Sequence, residues 1–131
     1  MDDSEFASAF HMATLPNEEF RHQGHLRLAW LVLRRHNLDE ATILVSQGIK
    51  TYAAAKGAAN MYHDTLTQFW LKLVDHTLAE SERTIGFEKL LRRFPLLLDT
   101  QLPFKHWTRT VLMGSEARQR WVQPDLCALP F

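Results

Sequence analysis

Cysteine, glycine and proline are all scarce in this chain of 131 residues, which contains one cysteine, five glycines and five prolines. A single cysteine excludes an internal disulfide and any cysteine-rich zinc site. The few glycines and prolines leave few positions where regular structure must break. No run of apolar residues approaches the roughly 18 that a transmembrane helix needs, so we expect no membrane span.

The chain also lacks an excess of either charge, because 15 lysines and arginines balance 15 aspartates and glutamates. This balance argues against a dedicated nucleic-acid binder, which usually carries a basic excess. Hydrophobic residues make up 46% of the chain, which excludes a disordered protein. The N-terminal residues 1–6 are acidic where a secretory signal would be basic. We therefore expect one soluble, cytoplasmic domain over residues 1–131.

Apolar residues recur mostly at spacings of three and four, which is the helical period, and no segment alternates as a strand would. The sequence therefore predicts an all-α protein, a compact bundle of four main helices plus short C-terminal helices, with no sheet. Helices are expected over 4–14, from 20 or 22 to 36, from 37 or 39 to 55, over 62–79 and over 85–93. Shorter helical turns are expected over 104–110 and 115–122, and prolines favour an extended tail over 123–131.

Three histidines are expected to meet at one end of this bundle. His22 and His25 fall in the first turn of the second helix, and His63 falls in the first turn of the fourth. Short connections make neighbouring helices antiparallel, so these two helix starts are expected at the same end. Imidazole is the commonest transition-metal ligand in proteins. Three protein ligands with one open position are the usual catalytic zinc arrangement.

Three further side chains beside the histidines could take part in catalysis. Glu19 or Asp64 could act as a fourth ligand, as an orienting group or as a general base. Tyr62 could donate a proton or orient a substrate. This pattern predicts a small metal-dependent enzyme with a divalent ion, zinc or iron, that acts on a small organic molecule.

The same histidines also have a purely structural interpretation. A histidine at a helix terminus can simply satisfy backbone groups, and a buried neutral histidine looks the same in sequence. The alternative is a non-catalytic helical module that binds a protein partner or an apolar ligand. The sequence leaves open whether His11 or His106 joins the site and whether the chain forms a homo-oligomer.

Three runs of residues give the chain a resemblance to a known group. They are Leu15-Pro-x-x-Glu19-Phe-x-His22-x-x-His25-Leu, Tyr62-His63-x-Thr65-x-Thr67 and the ending Pro124-Asp-Leu-x-x-Leu-Pro130. The chain resembles a group of small bacterial all-α proteins of unknown function that carry H-x-x-H-L and Y-H-x-T-x-T motifs. The resemblance implies that His22, His25 and His63 are signature residues. In that group the residue after the second-motif histidine is usually glutamate, whereas here it is Asp64, one methylene shorter.

Overall fold

The computed structural model describes residues 1–131 as an all-helical chain with seven α-helices and no strand. The helices are α1 (Asp3–His11), α2 (His22–Leu33), α3 (Leu38–Ala55), α4 (Asp64–Glu80), α5 (Phe87–Arg93), α6 (Arg109–Leu112) and α7 (Ser115–Gln119). Short 3-10 turns lie at Asn17–Glu19, Ala59–Met61, Pro95–Leu98 and Leu102–Lys105. The prediction of an all-α protein with four main helices, short C-terminal helices and no sheet is confirmed.

Several predicted helix boundaries differ from the structure, and two of the differences have a local cause. Helix α1 ends at His11 rather than near Thr14, because Ala13 takes a left-handed conformation with φ of 56°. Helix α2 ends at Leu33 rather than at residue 36. Helix α4 begins at Asp64 rather than at residue 62, because His63 is extended and acts as its N-cap. The last difference removes His63 from the helix and gives its side chain a different role.

The chain divides into two compact units, Met1–Tyr62 and His63–Phe131. The first unit contains α1, α2 and α3, and α3 contacts both of the other helices. Asn37 is one of the two residues predicted to cap α3. It is the N-cap in the structure, where its side chain accepts a hydrogen bond from the Glu40 N–H at 2.9 Å. The prediction that residues 1–131 form one domain stays a prediction.

Helices α1 and α3 approach closely where α3 carries a glycine. A Cβ atom built on Gly48 would lie 3.0 Å from the ring of Phe10, which is closer than ordinary packing allows. The buried side chains of the first unit are mostly apolar. The largest of them are Phe6, Phe10, Leu15, Phe20, Leu26, Leu28, Trp30, Leu33, Val45, Ile49 and Tyr52.

The second unit is organised around α4, which contacts α7 and the 3-10 turn at Pro95–Leu98. Phe69 of α4 is fully buried and packs edge-on against Trp107, with the ring centroids 5.6 Å apart. Trp107 is also fully buried and meets Trp121 at 5.5 Å. These aromatic contacts join α4 to the C-terminal segment, which lacks long helices of its own.

None of the seven helices combines the length and apolar character that a membrane span requires. This agrees with the expectation from the sequence.

Candidate functional site

The first predicted site residues lie where a 3-10 turn folds back on the start of α2. The turn spans Asn17–Glu19, and α2 begins at His22. A Cβ atom at Gly24 would lie only 2.4 Å from the backbone carbonyl oxygen of Glu19, so only glycine fits here. The glycine between His22 and His25 thus sets how closely the turn packs on the helix.

His25 stacks on the aromatic ring of Phe20, with centroids 4.1 Å apart and the planes inclined by 24°. Burial and, to a smaller extent, the nearby His22 lower the pKa of His25 to about 4, while a hydrogen bond to the Phe20 backbone opposes the shift. His25 is therefore a neutral ring at pH 7. The effect of His22 on this pKa means that the two histidines lie within electrostatic reach of each other.

Phe20 belongs to a cluster of aromatic rings in the first unit. Its ring lies 5.0 Å from that of Phe10 and 4.8 Å from that of Tyr52. The Tyr52 hydroxyl donates to the backbone carbonyl of Leu15 at 2.7 Å, and burial raises the pKa of Tyr52. The run from Leu15 to His25 is thus held by packing and hydrogen bonding on one aromatic cluster.

His63 uses both of its ring nitrogens within the second unit. Its Nδ1 atom accepts from the Leu66 N–H at 3.1 Å, and its Nε2 atom lies 2.6 Å from the carbonyl oxygen of Leu112. A backbone N–H can only donate and a carbonyl can only accept, so the proton resides on Nε2 and Nδ1 is unprotonated. Burial is the main cause of a lowered pKa at His63, which favours this neutral form.

The two threonines of the same motif also bind backbone groups. The buried Thr65 hydroxyl donates to the carbonyl of Arg120 at 2.8 Å and accepts from the Val122 N–H at 3.3 Å. The Thr67 hydroxyl donates to the carbonyl of His63 at 2.8 Å. The Y-H-x-T-x-T motif therefore caps α4 and fastens the start of the C-terminal tail to it.

The C-terminal segment that contains Pro124–Pro130 is held by a second set of hydrogen bonds, from residues 106–108. The Asp125 carboxylate accepts from both the N–H and the hydroxyl of Thr108 at 2.8 Å, and these bonds lower its pKa. The Trp107 indole N–H donates to the carbonyl of Val122 at 3.1 Å. The Nδ1 atom of His106 lies 2.9 Å from the carbonyl oxygen of Cys127, so His106 helps to hold the C-terminal tail in place.

The three side chains predicted to take part in catalysis have different local environments. Glu19 is exposed in the first unit. The Tyr62 ring lies under the Lys50 ammonium at 5.1 Å. Asp64 opens α4, where its carboxylate accepts from the Gln68 side-chain amide at 2.8 Å.

The predicted metal ligands are divided between the two units, with His22 and His25 in the first and His63 in the second. No group of three or more histidine, cysteine, aspartate or glutamate side chains is arranged to hold a metal ion. Metal binding through His63 would also require one of its two hydrogen bonds to be given up. The metal site and the roles of Glu19, Asp64 and Tyr62 stay predictions.

Comparison of the chain with protein families, with curated proteins and with solved structures gave no match. The resemblance to small bacterial helical proteins likewise stays a prediction.

Sequence reasoning missed one surface feature, which is the solvent face of α3. We define this face by the exposed, uncharged residues Ile43, Leu44, Gln47, Thr51, Ala54 and Ala55. Ile43 is 58% exposed and Leu44 is 46% exposed, although both are large and apolar. The signal was present, because Lys50 is the one charged residue in the fifteen from 41 to 55.

Proposed function

We propose that this protein is a non-catalytic helical module that binds a protein partner through the solvent face of α3. The observation that carries the proposal is the exposure of Ile43 and Leu44 on a helix of 18 residues that has no charged residue between Glu40 and Lys50. A helix at the surface of a globular protein normally turns charged and polar residues to water. Large apolar side chains that are exposed next to each other, as Ile43 and Leu44 are, occur at interaction sites.

The structural interpretation of the histidines supports a module without a reaction centre. His63 acts as a helix cap and as a hydrogen-bond donor to Leu112. His25 packs as a neutral ring on Phe20. Each of these roles accounts for the histidine by itself, so no substrate or ion is needed to explain why the side chain is there.

The second candidate is the metal-dependent enzyme predicted from the sequence. One observation favours it, which is the proximity of His22 to His25 on the first turns of α2. A zinc or iron ion held there would need further ligands, for which Glu19 is the nearest carboxylate in sequence. Such a site would act on a small organic molecule.

Elemental analysis distinguishes the two candidates. The untagged protein is purified without chelators, beside the variants His22→Ala and His63→Ala. The module predicts no stoichiometric zinc or iron in any of the three, also after reconstitution. About one metal per chain in the parent and none in His22→Ala would support the metal site instead, and the metal content of His63→Ala would show whether His63 is also a ligand.

The binding role itself is tested by comparing two matched surface variants. Ile43→Lys places a charge in the solvent face of α3, and Leu96→Lys does the same at an apolar residue of the second unit that is 41% exposed. A partner captured by the parent should be lost by Ile43→Lys and kept by Leu96→Lys. Equal capture by the parent and by Ile43→Lys would overturn the proposal. We also propose the cytoplasm as the place of this role.

A further inference from the structure

The C-terminal tail, residues 123–131, lies on the second unit as a bound peptide lies on its receptor. It contains no helix or strand, and no residue in it is buried. We propose that the surface beneath it, here called the tail groove, binds a short linear segment of a partner protein, and that the tail occupies the groove when the partner is absent. The inference is independent of the solvent face of α3, because the tail and the groove both belong to the second unit.

The tail groove holds the main chain of the tail through one residue, His106. The carbonyl oxygen of His106 accepts from the N–H groups of Leu126 at 2.9 Å and of Cys127 at 3.3 Å. Its Nδ1 atom lies 2.9 Å from the carbonyl oxygen of Cys127, which can only accept, so Nδ1 carries a proton and donates. Because His106 is buried, this donor and this acceptor are held in fixed positions. Hydrogen bonds to the main chain supply affinity in peptide recognition without depending on the peptide's side chains.

Two side chains of the tail show which segments the tail groove would select. The Asp125 carboxylate accepts from the N–H and from the hydroxyl of Thr108, both at 2.8 Å. Six residues later, the Phe131 ring stacks on the ring of His76 in α4, with the centroids 5.2 Å apart and the planes inclined by 24°. The same ring lies 6.3 Å from that of Phe69. The groove therefore fits a segment that carries a carboxylate and, six residues later, an aromatic ring.

The tail is held in a way that allows it to be displaced. Residues 125–128 are all exposed, and Leu126 is 58% exposed although it is large and apolar. Segments that bury few apolar side chains open at a lower free energy than core helices do. Phe69 and Trp107, by contrast, are fully buried in the core of the second unit. Opening of the tail should therefore leave the helices folded and free the groups that bound it.

The tethered tail competes with any free segment for the same groove. A segment tied to its site by a short linker acts at a local concentration on the order of millimolar. The apparent affinity for a free segment is lowered because only the molecules with an open groove can bind it. Asp125→Ala loosens the tail but leaves Thr108 and His106 in the groove unchanged. This variant should therefore bind a free segment more tightly than the parent does.

Fluorescence anisotropy with a labelled synthetic peptide tests the tail groove. The peptide has the sequence of residues 122–131 with Cys127→Ser. The Asp125→Ala protein should bind it at least about fivefold more tightly than the parent does, because the tail has lost two hydrogen bonds to a carboxylate. A matched peptide that also carries Asp125→Ala should bind at least about fivefold more weakly to the same protein.

Three outcomes of this titration would overturn the proposal. The first is the absence of saturable binding to the Asp125→Ala protein up to about 1 mM peptide. The second is equal binding of the two peptides, which would remove the role of Thr108 in selection. The third is equal binding by the parent and by the variant, which would show that the tail does not compete for the groove.

Hydrogen exchange measures the opening of the tail in the same two proteins. The protection factors of the Leu126 and Cys127 amides should be at least about tenfold lower than those in the middle of α4. Asp125→Ala should lower them at least about fivefold further and leave those of α4 unchanged. Tail amides with the same protection as α4 would show that the tail opens only when the whole unit unfolds, and would refute the proposal.

Sedimentation equilibrium identifies where the bound segment comes from. The parent and the Asp125→Ala variant should both remain monomers of about 15.2 kDa, because the groove is proposed to bind a different protein. A dimer that the peptide dissociates would assign the groove to the tail of a second copy and overturn the partner protein. None of these results affects the proposed function, because Ile43 lies in the first unit.

Discussion

Replacing His63 by alanine should destabilise the protein strongly without any ligand being involved. The substitution removes the side chain that accepts from the Leu66 N–H and donates to the carbonyl of Leu112. Both bonds are contributed by one buried ring that is 8% exposed. Water therefore cannot easily replace the lost partners, and the first turn of α4 and the end of α6 both lose a contact.

The expected magnitude follows from these two bonds. Loss of a helix N-cap costs about 1 kcal/mol. Leaving the buried Leu112 carbonyl without its donor costs about 1–3 kcal/mol. The free energy of unfolding should therefore fall by about 2–4 kcal/mol in His63→Ala. In His63→Asn the shorter side chain can still cap α4 but does not reach Leu112, so the loss should be about 1 kcal/mol smaller.

Urea denaturation followed by circular dichroism measures both variants against the parent at pH 7.5. The order of stabilities should be parent, then His63→Asn, then His63→Ala, with similar slopes against urea. The measurement is repeated with 1 mM EDTA, which should change nothing if His63 has this structural role. A His63→Ala variant within 0.5 kcal/mol of the parent would refute the reasoning. So would a parent that loses its advantage when EDTA is added.

Three further predictions concern stability elsewhere in the chain. Gly24→Ala should lower the free energy of unfolding, measured by urea denaturation, by at least about 2 kcal/mol, because the new Cβ would lie 2.4 Å from a backbone carbonyl oxygen. Gly48→Ala should change it by less than about 1 kcal/mol, because the new Cβ meets an aromatic ring that can move. Equal losses in the two variants would contradict this reasoning. The pKa of His25 is about 4 in the folded protein and near 6.5 in the unfolded chain, so the unfolded chain binds the proton more readily and stability rises with pH across this window. Acidification from pH 6.5 to 4 should therefore cost at most about 3 kcal/mol at this site, and His25→Gln should reduce the slope of stability against pH; an unchanged slope would contradict the assignment. Thr65→Val should release the tail after Arg120, seen as faster proteolysis there, while Thr65→Ser should behave as the parent.

Much of the fold could be predicted from local patterns in the sequence. The spacing of apolar residues predicted the helices, because one buried face per helix imposes a period of 3.6 residues. Asn37 was one of two predicted caps for α3, since a short polar side chain at the start of a helix is a local signal. The helical boundaries near Ala13 and His63 were missed, because a left-handed residue and a histidine cap leave no such pattern.

The surroundings of the candidate site residues could not be predicted in this way. The sequence indicated that His63 was either a metal ligand or a structural histidine, and it placed Thr65 in the same motif. Their hydrogen-bond partners, Leu112 and Arg120, lie 49 and 55 residues away in the chain. No local sequence pattern indicates contacts between residues that are so far apart in the chain.

The helical class of this protein and the positions of most of its helices follow from local sequence patterns, because helix formation depends on neighbours within about four residues. The atoms that meet the ring of His63 and the exposure of one face of α3 follow from tertiary packing. Both depend on how distant segments pack, and packing buries some apolar residues while it leaves Ile43 and Leu44 in water. The physical reason is that periodicity fixes which residues share a face, whereas burial depends on whether another element reaches that face.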